Sequence, residues 1–132
     1  MSLARHRTEI ETELITEMQL LRPGLVIIGE NADTPAANNA PWLRMSITVL
    51  EIFRPCIGIN SKTRTDALFN VQVFTPLAQG AGEASSIVDE AISVLRNSTL
   101  TGIEFLTFDV STGVVESDWY TLLIRARYRA DD

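Results

Sequence analysis

The chain has only one cysteine and one histidine among 132 residues, and the scarcity of these two residue types limits its chemistry. Cys56 alone cannot form an internal disulfide or a thiolate metal cluster, so we expect synthesis in a reducing cytosol. His6 lies beside Arg5 and Arg7 near the start of the chain, and we interpret it as a solvated surface histidine. Neither residue has the partners of a Ser-His-Asp or Cys-His site. The sequence therefore predicts no enzyme activity, no cofactor and no metal site.

Long hydrophobic runs are also missing. Uncharged apolar runs such as residues 47–50 fall far short of the ~20 residues that cross a bilayer. The first seven residues have no apolar core of the secretory kind. We expect a soluble protein that carries no export signal and has no membrane partner.

Basic residues are few, and almost all of them are arginine. The chain has 11 basic and 17 acidic residues and a net charge of −6, which argues against a general nucleic-acid binder. Lys62 is the only lysine. Because arginine suits ion pairs at protein interfaces better than lysine does, this composition favours an assembling protein.

Two amphipathic helices are predicted from apolar residues at helical spacing. The first covers residues 5–21 and ends at Pro23-Gly24, which cannot continue a helix. The second follows a loop that contains Gly80 and Gly82, and we expect the charge of Glu83 to stabilise its start. The apolar stripes are Ile10, Leu14, Met18 and Leu21 in the first helix, and Ala84, Ile87, Val88, Ala91 and Leu95 in the second.

Five segments read as strands. They are residues 25–28, 42–53, 66–74, 103–110 and 119–128, and the last two form a hairpin around Gly113. The alternation of the second strand breaks at residues 50–52, where we expect either a β-bulge or burial of both faces. The order predicts one α+β domain over residues 1–132, with two main helices on one face of a mostly antiparallel or mixed sheet of about five strands.

The most suggestive charges lie in the last strand. Arg125, Arg127 and Arg129 alternate with apolar residues, so all three share one face. Two interpretations stay open: a solvated sheet face, or a surface that meets carboxylates of a neighbouring copy. The basic connection at residues 54–65 adds to this candidate interface, whose residues are Arg125, Arg127, Arg129, Arg54, Lys62 and Arg64.

Other groups offer weaker chemistry. Glu30, Asp33 and Asp109 could form an acid pair or a hard-cation site if the fold drew them together, but no sequence pattern indicates that it does. Gly80-Ala81-Gly82 before a helix could cradle a phosphate. That segment lacks the Lys-Ser/Thr ending of a P-loop, and Glu83 would occupy the place of the anion.

Several turns and strand starts resemble those of the tail terminator family of long-tailed bacteriophages, the proteins similar to minor tail protein U. The resemblance covers most of the chain. The residues that carry it are the Gly29-Glu30-Asn31 turn, the loop of residues 35–42 that enters a strand, Phe74-Thr75-Pro76 with Gly80 and Gly82 before the second helix, and Trp119-Tyr120 at the start of the final strand.

This resemblance implies a structural protein of the virion tail or neck, made in the cytoplasm of a host bacterium. Six copies would close into a ring that ends polymerisation of the tail tube and offers the surface for joining the head. The implied partners are other copies of the chain, the major tail tube protein and a head-completion or connector protein, while DNA only passes through the lumen. One alternative is a head-tail connector or tail-completion protein of the neck. An alternative of another class is a small ligand-binding domain or enzyme built from Glu30, Asp109 and the arginines.

Overall fold

The computed structural model describes residues 3–30, 32, 40–54, 63–116 and 118–131. Helix α1 is Leu3–Leu21 and helix α2 is Gly80–Arg96, with a short 3-10 turn at Leu77–Gln79. The strands are β1 Val26–Ile28, β2 Trp42–Phe53, β3 Arg64–Pro76, β4 Ile103–Val110, β5 Val114–Glu116 and β6 Trp119–Asp131. The predicted α+β class is confirmed.

The strands form one mixed sheet in the order β1-β2-β3-β6-β4. Only the pairing of β1 with β2 is parallel among the described strands, and the other pairs are antiparallel. Strands β4 and β5 both pair with β6, so they form one interrupted arm of a long hairpin. The short strand β5 is an addition to the five strands that the sequence predicts.

Both helices pack on the same face of the sheet, as predicted. Period-two burial in β3 and β6 sends alternate side chains into the layer between sheet and helices. The centre of this core holds the following residues: Ile10, Leu14, Met18, Leu43, Met45, Phe69, Val71, Ile87, Leu95, Ile124 and Tyr128. We call this side of the sheet the helix face and the other side the open face.

Two strands carry bulges. The ladder of β2 with β3 shifts between Val49 and Glu51, which confirms the bulge interpretation of the break in β2. A second shift lies between Phe105 and Thr107 in β4. Each bulge leaves one leucine, Leu50 or Leu106, without an aligned partner and increases the local twist.

Two expectations are wrong. The segment Gly80–Gly82 is not a loop, because α2 begins at Gly80. His6 is not on the surface: its side chain is fully buried and meets Tyr128 edge-on at a ring distance of 5.9 Å. Because α1 begins at Leu3, His6 joins the buried stripe one turn before Ile10.

An arginine just after α1 connects the two helices. Arg22 contacts Glu83 at 2.6 Å and Glu90 at 2.5 Å, both on α2. Burial opposes the charge of Arg22, but its hydrogen bonds to the two carboxylates outweigh burial and raise its pKa. Glu83 lies in the first turn of α2, where a negative charge also favours the helix.

Candidate assembly surfaces

Strand β6 presents Arg125, Arg127 and Arg129 on the open face, and we call these three the arginine face. Arg125 pairs with Asp109, which lies directly opposite on β4. Arg127 donates to Asp66 on β3 at 3.1 Å. Both arginine side chains remain about half exposed. The arginine face therefore meets carboxylates of its own chain.

Arg129 lies between two acids at the same level of the sheet. Its aligned neighbours are Asp66 on β3 and Glu104 on β4. Within the described part of the chain, its Nε is buried without a hydrogen-bond partner. Asp66 is only 7% exposed, and a buried carboxylate is costly to the fold unless it keeps a partner such as Arg127. Reversing the charge of Arg127 would consequently disturb folding as well as any interface.

The basic connection is described only at its two ends. Arg64 begins β3 and forms two hydrogen bonds with Asp131, at 2.7 and 3.3 Å. Arg54 follows β2 and is exposed. Lys62 lies outside the described residues, as does Cys56. The structure brings Arg64 to the end of the sheet where Arg129 lies, two positions before Asp131 on β6.

The outer side of β2 forms a sheet edge over most of its length. Strand β1 pairs only with Trp42, Leu43 and Arg44. From residue 45 to residue 53, no strand in the described part of the chain covers the outer side of β2, and we call this stretch the β2 edge. The exposed apolar side chains here are Val49, Leu50 and Ile52.

One side chain already occupies a backbone donor of the β2 edge. The Oε1 atom of Glu30 accepts from the backbone N–H of Ile47 at 3.4 Å and also contacts Arg7 at 3.2 Å. A hydrogen bond of this length is weak. It shows that the N–H of Ile47 points outward from the sheet.

The opposite side of the sheet ends in β4, which we call the β4 edge. Four exposed apolar side chains lie along β4 and the adjoining β5: Leu106, Val110, Val114 and Val115. Natural sheets usually protect an edge with charges, prolines or a covering segment. The two apolar edges are the feature that sequence reasoning missed. The exposed apolar residues around the break in β2 and the Val114-Val115 pair after Gly113 were the available signals.

The acids proposed as a catalytic or cation site do not come together. Glu30 follows β1 at one side of the sheet and Asp109 is on β4 at the other. Asp33 lies outside the described residues. No group of three His, Cys, Asp or Glu side chains is placed to hold a metal ion within the ranges that the structure describes. The Gly80-Ala81-Gly82 segment, considered above as a phosphate cradle, is part of α2, and the adjacent Glu83 forms an ion pair with Arg22.

A groove of about 600 Å³ runs along α1 beside residues 99–101. Threonines and glutamates line it, including Thr12, Glu13 and Thr99. Glu13 accepts a hydrogen bond from Ser98 at 3.2 Å. Glu9, another lining acid, pairs with Arg5 at 3.1 Å, and the described residues that line the groove include no histidine.

The helices of the described residues include none with the length and apolar character needed to span a membrane.

No protein-family model matches the chain, and no curated protein sequence matches it. Several solved structures are similar, and one of them matches over 98% of this chain and 96% of its own, with a TM-score of 0.73 and 18% sequence identity. The name of that protein states no function. At this identity the similarity shows a shared fold alone.

Proposed function

We propose that this chain is a structural virion protein that closes into a ring on the end of a phage tail tube. In this role it ends tube polymerisation and offers the surface to which the head joins. The mechanism is steric and does not involve catalysis. A ring blocks the growing end of the tube because the next tube subunit finds no matching surface.

One observation carries this proposal: in the part of the chain that the structure describes, the sheet ends on both sides in an apolar edge that no further strand covers, the β2 edge and the β4 edge. Surfaces of this kind mark sites of protein association. Two different surfaces on opposite sides of one molecule support head-to-tail association, and a closed rotation turns such contacts into a ring. The resemblance to tail terminators is the basis for placing this ring on a phage tail tube and for expecting six copies in it.

The end of the sheet that carries Arg54 and Arg64 remains for other partners in this proposal. It suits the major tail tube protein or a head-completion protein, because a ring leaves both of its flat ends exposed. Glu30 and Asp109 lie on opposite sides of the sheet, so the alternative of an enzyme built from them has no support in the geometry.

The test is electron microscopy of particles made by the parent phage with this gene deleted. We expect overlong tails without heads, because nothing stops the tube from growing. Tails of normal length that fail to join heads would instead assign the chain to the connector or tail-completion class. Intact infectious particles would refute a structural role in the virion.

A further inference from the structure

We propose that neighbouring copies join edge to edge, with the β4 edge of one copy pairing antiparallel with the β2 edge of the next. The sheet would then continue from copy to copy around the ring. This inference rests on the proposed function and adds to it the surfaces that meet. The occupant of each edge is thus a second copy of this chain.

The strand directions fit this joining without any reversal of a subunit. Strands β2 and β3, β3 and β6, and β6 and β4 are each antiparallel, so β4 runs opposite to β2 within one copy. When copies are related by rotation about an axis roughly along the strands, the β4 edge therefore meets an antiparallel β2 edge. Antiparallel pairing is the slightly more stable kind.

The apolar side chains at the two edges also lie on matching faces. Val49 aligns with buried Ala67, and Val110 aligns with buried Ile124, so both belong to the helix face. Ile52 aligns with buried Thr65 on the same face and is 59% exposed. When the edges join with the two helix faces on the same side, each of these side chains lies against the facing edge strand and is removed from water.

Charges of opposite sign lie at one level of the two edges. Arg96 of α2 sits over the ring of Phe108 on β4, 5.7 Å from its centre. Phe108 aligns through Ala126 and Phe69 with Ile47, the residue whose N–H contacts Glu30. A pair joined with these two levels aligned would bring Arg96 of one copy close to Glu30 of the next, while Glu30 gives up the N–H of Ile47 to the new strand pairing.

The test uses one variant at each edge and a matched control. Ile52→Lys changes the β2 edge, Val110→Lys changes the β4 edge, and Leu20→Lys changes an exposed leucine of α1 that belongs to neither edge. A lysine on an edge strand opposes further strand pairing. Native mass spectrometry gives the oligomeric state of each protein and of mixtures, and thermal melting confirms that each variant is folded.

We expect a ring for the wild type and for Leu20→Lys, and monomers for each edge variant alone. A mixture of Ile52→Lys with Val110→Lys should give heterodimers and nothing larger, because each pair keeps one intact junction. If either edge variant still forms homodimers, the contact is symmetric and the inference is wrong. The inference is also wrong if both edge variants form rings. In that case the wild-type ring would still support the proposed function. A monomeric wild type together with normal particles after gene deletion would refute both.

Discussion

Tyr128 shows at the residue scale how burial changes chemistry without creating a site. Its side chain is fully buried, and its hydroxyl has no hydrogen-bond partner in the part of the chain that the structure describes. Burial disfavours the ionised form and raises the pKa of Tyr128 to about 12, although the positive charge of Arg7 acts in the opposite direction. The aromatic ring packs in the core, whereas the buried hydroxyl lowers the free energy of unfolding.

Tyr128→Phe should therefore stabilise the fold by about 1 kcal/mol at neutral pH, because it removes a buried polar group that lacks a partner. The folded pKa of Tyr128 lies above the unfolded value. Neutral Tyr128 therefore makes its full contribution to the free energy of unfolding below about pH 10, and this contribution is lost as the pH rises towards 12. Urea unfolding of both proteins at neutral pH and at about pH 11 checks this. The advantage of the variant should be larger at the higher pH, and an equal advantage at both would contradict the burial argument.

At the scale of elements, most of the fold was predictable because local patterns and tertiary packing agree. Alternation in β2, β3 and β6 identifies the strands, and the break in β2 identifies its bulge. The start of α2 was missed because Gly80 and Gly82 disfavour a helix locally, whereas the packing of α2 against β3 and β6 imposes one. The apolar residues at the break in β2 and in β5 were visible in the sequence, but their position at the two edges could not be predicted, because strand order depends on pairings between distant segments.

Two glycines, one in the connection between β4 and β5 and the other in α2, give a matched pair of variants. A β-carbon at Gly113 would lie 1.9 Å from the hydroxyl oxygen of Tyr120, so Gly113→Ala must displace that ring from the β5–β6 arm. A β-carbon at Gly82 would have no atom within 4 Å, and Gly82 lies inside α2.

We expect Gly113→Ala to lower the free energy of unfolding by about 1–3 kcal/mol through overpacking. Gly82→Ala should raise it by about 0.5–1 kcal/mol, because alanine favours a helix more than glycine does. Chemical denaturation of both variants beside the wild type measures the two shifts. Shifts of the same sign would show that backbone entropy dominates at both positions.

For the whole molecule, net charge and edge contacts act in opposite directions. Each copy carries a net charge of −6, so closing a ring concentrates negative charge and the junctions must overcome repulsion. Apolar side chains at the two edges favour association at any ionic strength, whereas a junction between Glu30 and Arg96 adds a contribution that salt weakens. The two contributions can therefore be separated by charge reversal and salt.

Arg96→Glu and Glu30→Arg should each weaken association about fivefold, because each sets two like charges at the junction. The double variant should recover most of the wild-type affinity, since it restores opposite charges with their positions exchanged. Sedimentation equilibrium at low and high salt measures these affinities, and the deficits of the single variants should shrink at high salt. Glu30→Arg also removes the contact of Glu30 with Arg7, so its melting temperature is the control for folding. If the double variant associates no better than the weaker single variant, Glu30 and Arg96 do not meet across the junction.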